Sequence, residues 1–178
     1  VVATTRPETM LGDTAVAVNP NDGRYRELIG KEAILPLMNR RIPIIADDYV
    51  TMEFGSGAVK ITPASDPNDF AMALRHKLDI IRIMDDNAVI NKNGGLYEGQ
   101  DRYECRRNVV RDLEAGGCLV GTEPYAHNIG QCYRCKTDIE PTVSRQWFVR
   151  IAPLAQEAIR AVVTGKTRIV PASWEATY

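Results

Sequence analysis

The chain has little of several things that would announce a familiar chemistry. Histidine occurs only twice, and neither His76, in a helical stretch, nor His127, in a loop, is marked as a base for Ser65. No Gly-x-Ser-x-Gly elbow is present, which argues against a serine hydrolase. The phosphate-cradling loop and the dinucleotide glycine pattern are missing too, so ATP or NAD binding by this stretch has no support and any nucleotide it meets is expected to be RNA. No run approaches the roughly 20 apolar residues of a membrane span, and no charged-then-apolar leader opens the chain, so a cytoplasmic protein is expected. An excess of either charge is also lacking. Lys and Arg number 22 against 23 Asp and Glu, a net charge of −1, so nucleic-acid contact must come from local basic clusters and sequence-nonspecific duplex binding is not expected. Cysteine is sparse: Cys105, Cys118, Cys132 and Cys135. A Cys-x-x-Cys pair in a chain of this size points to metal or redox chemistry with reduced thiols, not to a disulfide framework.

What is present fits one globular domain with a sizeable core and an appended arm: 178 residues, 44% apolar and 25% charged. The start at Val1 without a methionine reads as a piece of a longer polypeptide. Short β-rich runs recur at Val1 to Thr5, Thr14 to Val18, Ala33 to Leu37, Ile42 to Ile45, Ala58 to Thr62 and Ile80 to Met84, separated by Asn-, Asp- and Gly-rich turns. Such spacing predicts a mainly β domain, a barrel or sandwich, with peripheral α-helices.

Helical patterns interrupt the strands. Asp66 as cap and Pro67 at the first position predict a helix to about Leu78 with Phe70, Leu74 and Leu78 inward. Asp101 opens a second, with Val109, Val110 and Leu113 inward and Arg102, Arg106, Arg107 and Arg111 on other faces, ended by Gly116-Gly117. Those arginines are candidate phosphate contacts, though a solvated charged face is the commoner reading. Cys105 reads as a small core residue. A third helix is expected over Pro153 to Val163, in an arm.

The chemistry concentrates around the first helix. One carboxylate suffices to cap it, so Asp69, one turn beyond Asp66, is available for a cationic ligand. Lys60 and Thr62 share a strand face leading through Pro63 to these carboxylates. Near the N-terminus, Thr4, Thr5, Arg6 and Thr9 surround Pro7, in a loop able to cup a small polar ligand: the guanidinium is a rigid fork for anions, and threonine hydroxyls both donate and accept. Cys132 and Cys135 can share one zinc as half a tetrahedral site, completed by Cys118 and His127 or by a second Cys-x-x-Cys beyond Tyr178.

Thr4 to Val16, Phe54-Gly55-Ser56-Gly57, Lys60-Ile61-Thr62-Pro63-Ala64, Asp66-Pro67-Asn68-Asp69 and Gln146-Trp147-Phe148-Val149, in this order, resemble the inserted editing domain (connective polypeptide 1) of the class I valyl-tRNA synthetase family. The resemblance implies a β-barrel editing domain of the valyl/isoleucyl/leucyl type over residues 1–135, and over residues 136–178 an arm returning toward a synthetic core. It implies hydrolysis of threonine misattached to valine tRNA, with threonyl-adenylate as a further substrate, in a monomeric enzyme whose ATP- and Mg-dependent aminoacylation site lies elsewhere. By the same resemblance Asp66, Lys60 and Thr62 are catalytic, Asp69, Arg6, Thr9 and Thr5 bind substrate, editing needs no cofactor, and Cys132 and Cys135 are half of a zinc site. Ser65 stands where the family commonly has histidine, and Ser56 where threonine is frequent. Catalysis then falls to a water positioned by Asp66, backbone groups and the ribose hydroxyl. The competing reading is a non-catalytic, zinc-stabilised connector that positions a tRNA end; a free-standing ester hydrolase fits the site but not the trailing arm.

Overall fold

Four short strands carry the N-terminal part of the chain: β1 (Ala15–Val18), β2 (Glu32–Leu35), β3 (Arg40–Ala46) and β4 (Ala58–Ile61). In this computed structural model, which describes residues 1–177, β1 runs parallel to β3, with Val16 opposite Ile44, and antiparallel to β4, with Val16 opposite Lys60. β2 pairs antiparallel with β3, Ala33 facing Ile42. The order β2-β3-β1-β4 leaves β2 and β4 at the edges, so among the described residues the sheet is mixed and open. The architecture is sheet-based with peripheral helices.

Two expected strands take another form. Val1 to Thr5 enters no ladder: the Thr4 hydroxyl accepts the Arg6 N–H at 3.0 Å, and Pro7, which has no N–H to offer a ladder, starts a 3-10 turn over Pro7–Gly12. Ile80 to Met84 makes a single bridge, Met84 to Ile90. There the Arg82 carbonyl accepts from the side-chain amides of Asn91 at 3.0 Å and Asn93 at 2.8 Å, which take the place of a neighbouring strand.

Helix α1 (Pro67–His76) starts as expected, the Asp66 carboxylate accepting the backbone N–H groups of Asn68 at 2.7 Å and Asp69 at 3.2 Å. It ends at Lys77, whose left-handed φ of 55° stops it just short of Leu78. Its buried face is Asp69, Met72 and Ala73, whereas Leu74 is 62% exposed. Met72 sits in a small core with Ala15, Ala17, Val50 and Ile61, and that contact turns Asp69, one helical turn earlier, inward as well.

Helix α2 (Arg102–Ala115) is capped by the Asp101 carboxylate on the Tyr103 N–H at 2.9 Å. It buries Arg102, Cys105, Val109 and Leu113 against the larger core of Met10, Leu11, Ile83, Ile90 and Tyr97. Cys105 is thus the core residue expected, and Val110 is only half-buried. Residues 144–178 form a separate unit, distinct from Val1–Val143. It contains helix α3 (Ile151–Val163), which begins two residues before Pro153 and buries none of its own residues. Among the described residues no helix is long and apolar enough to cross a membrane.

The orientation of α1 is open to a direct check. Met72→Ala is expected to cost about 2–5 kcal/mol in urea unfolding, as buried truncations do, whereas Leu74→Ala stays within about 0.5 kcal/mol.

Candidate active site

Strand alternation places Lys60 on the face opposite Ile61, and Thr62, just past the end of β4, follows on the same side. The Pro7–Gly12 turn lies against this face. At its end, Gly12 packs close to the 81–83 segment: a Cβ there would stand 3.0 Å from the Ile81 carbonyl oxygen and 3.1 Å from Ile83 Cγ2. The Lys60 ammonium consequently meets three oxygens: Thr9 Oγ1 at 3.0 Å, Asp13 Oδ1 at 3.2 Å and Thr62 Oγ1. Thr62 donates its hydroxyl to Asp13, and Thr9 donates to the Arg6 carbonyl at 2.8 Å. Asp13 is almost wholly buried; burial pushes its carboxyl up, against the pull of the Lys60 charge and the Thr62 hydroxyl.

Asp69 joins from α1. Its Oδ2 accepts the Thr62 backbone N–H at 2.8 Å, while Oδ1 has no partner among the described residues. Burial lifts its carboxyl to about 6; the Thr62 N–H works against the shift, and the neighbouring Asp66 charge adds to it. Lys60, Thr62, Thr9 and Asp69 therefore form one bonded cluster, with Asp66 attached through its cap on Asp69. Thr5 is exposed and outside the cluster, with no hydrogen bond of its own among the described residues.

Arg6 is held at the border. It donates to the Ser65 carbonyl at 3.1 Å, immediately before Asp66, and pairs with Glu140. Glu140 also pairs with Arg102 at 3.3 Å. Beneath Arg6, Glu8 is wholly buried and gripped at both oxygens by Arg106, at 2.7 and 2.8 Å. These pairs revise the expectation for α2. Arg102 and Arg106 are used inside the fold and Arg111 pairs with Asp112 at 2.8 Å, so of the four only Arg107 lacks an ion pair among the described residues. Sequence reading overlooked Asp13, Glu8 and Glu140; the only local hint was that Glu8 and Asp13 stand within the N-terminal motif.

Cys132 and Cys135 lie in a tight turn, with the Cys132 N–H on the Thr137 carbonyl and the Lys136 N–H on the Cys132 carbonyl, both at 2.9 Å. The Thr137 hydroxyl, 3.2 Å from Sγ, leads the groups that lower the Cys135 thiol to about 7, with the Thr137 N–H and Cys132 assisting. Two adjacent thiols suit zinc, and among the described residues no three His, Cys, Asp or Glu side chains gather as a metal site.

A family model described as the editing domain of leucyl-tRNA synthetase matches residues 27–101. The crystal structure of GlLeuRS-CP1 shares the fold, with a TM-score of 0.54 at 16% identity over 70% of this chain and 84% of that one. The fold is thus shared with a leucyl-tRNA synthetase CP1 structure, and residues 27–101 match the editing-domain model. Curated valine–tRNA ligases align along the whole chain. That of Syntrophotalea carbinolica is 62% identical over 178 residues, 100% of this chain and 20% of the relative. The Carboxydothermus hydrogenoformans enzyme is 62% identical over 99% of this chain and 20% of its own length, and the Thermotoga maritima enzyme 60% identical over 100% and 21%. The chain thus aligns along its whole length with a stretch of valine–tRNA ligases and spans about 20% of the length of these relatives, consistent with an editing domain inserted in such an enzyme.

The raised Asp69 carboxyl sets a pH dependence. A folded-state value above the unfolded one favours folding at low pH, and this contribution is lost as pH rises from about 4 through about 6. Asp69→Asn is therefore expected to stabilise the protein at pH 8, by up to about 3 kcal/mol, with the difference vanishing near pH 4 when urea unfolding is compared at the two pH values.

Proposed function

We propose that this domain hydrolyses the ester of threonine misattached to the 3′ end of valine tRNA, within a longer cytoplasmic ligase whose synthetic core attaches valine. The observation that carries this reading is the cluster of Lys60, Thr9, Thr62 and Asp69 at the start of α1, beside the Asp66 cap. A capped helix needs one of these carboxylates, not two.

Asp69 Oδ1 takes the substrate ammonium, a charge-assisted contact for which ionised Asp69 is required. Thr9 and Thr62 read the threonine hydroxyl. Arg6, held by Ser65 and Glu140, borders the terminal adenosine. Lys60 already faces three acceptors, so its part is to hold the two threonines instead of gripping a phosphate. Asp66 retains an oxygen that is not used by its cap and positions the attacking water with the help of the vicinal ribose hydroxyl. Water adds to the ester carbonyl, the bond to the ribose oxygen breaks, that oxygen takes one proton of the water, and threonine leaves as its carboxylate with the second proton released to solvent. Thr5 lies at the rim of this arrangement, and threonyl-adenylate, with the same acyl group, is a second substrate.

The selectivity has a simple origin. An apolar synthetic pocket cannot strongly reject a near-isostere that merely adds a hydroxyl, for which valyl-tRNA synthetase facing threonine is the standing example. A polar second pocket inverts the preference, because valine leaves its buried groups unpaired at roughly 1–3 kcal/mol each. Cys132 and Cys135 supply two thiolates to a zinc site completed by the rest of the polypeptide, in a structural and not a hydrolytic role.

Two measurements on the full-length ligase test this. Threonine is expected to be released from threonyl-tRNA of the valine type while valine is spared, and Asp69→Ala is expected to slow release about 10- to 100-fold, the range for losing a charged hydrogen bond; hydrolysis that ignores the side chain or survives the substitution would exclude this assignment. Zinc content is expected to fall on replacing Cys132 and Cys135 by serine, and unchanged content would remove the metal role.

A further inference from the structure

Asp13 contacts no substrate in the reaction just described, yet the groups that do so are arranged around it. Its carboxylate is 2% exposed and accepts from Thr62 Oγ1 and, at 3.2 Å, from Lys60 Nζ. Its backbone carbonyl is tied separately, accepting from Arg40 Nη2 at 2.8 Å, and the same guanidinium nitrogen donates to the Leu11 carbonyl at 2.9 Å.

The hydrogen positions follow from counting donors. An ammonium has three N–H groups and no lone pair. Lys60 has three acceptors, so its donors are matched by Thr9, Asp13 and Thr62. A hydroxyl has one hydrogen and two lone pairs. The Thr62 hydrogen goes to Asp13, and one of its lone pairs receives Lys60. The Thr9 hydrogen goes to the Arg6 carbonyl, and one of its lone pairs likewise receives Lys60. Each threonine retains a single lone pair and no hydrogen to give. Asp69 Oδ1 and the second oxygen of Asp66 are acceptors as well.

We infer that Asp13 is a positioning residue that, through Lys60 and Thr62, sets the hydrogen-bond polarity of this cluster: what Thr9, Thr62, Asp66 and Asp69 leave for the ligand is acceptors, so the amino-acid part of the ligand is read by the hydrogens it donates. The amino acid sorted for hydrolysis is then one carrying an ammonium and a side-chain hydroxyl that donates. An atom of similar size that only accepts meets lone pair against lone pair. This inference rests on the proposed threonyl-ester hydrolysis and adds the direction of the hydrogen bond. A neutral Asp13 would reverse it by donating to Thr62 and freeing the Thr62 hydrogen for the ligand.

The test uses the full-length ligase and valine tRNA chemically charged with threonine, valine or 2-amino-3-fluorobutyrate, whose fluorine replaces the hydroxyl and cannot donate. Threonyl-tRNA is expected to be hydrolysed, and the fluoro ester to be spared like the valyl ester, at least about tenfold slower, the cost of one unmatched buried polar group. Asp13→Asn, which puts an amide N–H donor beside Thr62, is expected to narrow the gap between threonyl and fluoro esters. Comparable hydrolysis of threonyl and fluoro esters by the unaltered enzyme would overturn the polarity assignment and leave threonyl-ester hydrolysis standing. An unchanged ratio in a folded Asp13→Asn enzyme would remove Asp13 from the role. Failure to release threonine at all would sink both.

Discussion

The pairing of Lys60 with Asp13 is the constraint around which the site is built. Both side chains are largely removed from water, and a buried charge is tolerated only with a partner and with its remaining donors and acceptors matched. Thr9 and Thr62 accept the other two Lys60 hydrogens and Thr62 donates to Asp13, which joins the Pro7–Gly12 turn to the end of β4. The pair contributes specificity of arrangement more than raw stability, since apolar replacements of buried ion pairs are often neutral or stabilising.

A second set of charges connects this cluster to the rest of the unit. Arg106 holds buried Glu8, Glu8 lies 3.8 Å from Arg6, and Glu140 joins Arg6 to Arg102, so α2, the N-terminal turn and the segment around Glu140 share one chain of alternating charges. Through Arg6 the chain reaches the Ser65 carbonyl, next to the Asp66 cap. Two of the arginines that look like a phosphate-binding face in the sequence are thereby engaged as counter-ions to acids of the fold. Asp69 contrasts with these paired acids: its carboxyl is raised by burial, without an ion pair among the described residues, which fits the ammonium-binding role proposed for it.

Much of the local arrangement was legible. Alternation put Lys60 and Thr62 on one face, Asp66 and Pro67 marked the helix start, and Cys105 read as a core residue; the structure agrees on each. Other readings failed for identifiable reasons. Leu74 carries the apolar pattern of α1, but Met72 has a pocket prepared by Ala15 and Ala17, and packing outweighs pattern. Ile80 to Met84 has strand composition, but two asparagine side chains take the Arg82 carbonyl and the ladder does not extend.

The sequence by itself determined what local physics controls: turns, caps, strand alternation, and the motifs that resemble those of a synthetase editing domain. Only the tertiary structure decided which charges meet. Glu8 and Arg106 are 98 positions apart, and Asp13 is 47 from Lys60. An acid in a turn and an arginine on a helix are each ordinary surface residues until folding removes the water around them. Whether such a group becomes a counter-ion, a solvated charge or an acceptor awaiting a ligand depends on desolvation, and desolvation belongs to the packed fold.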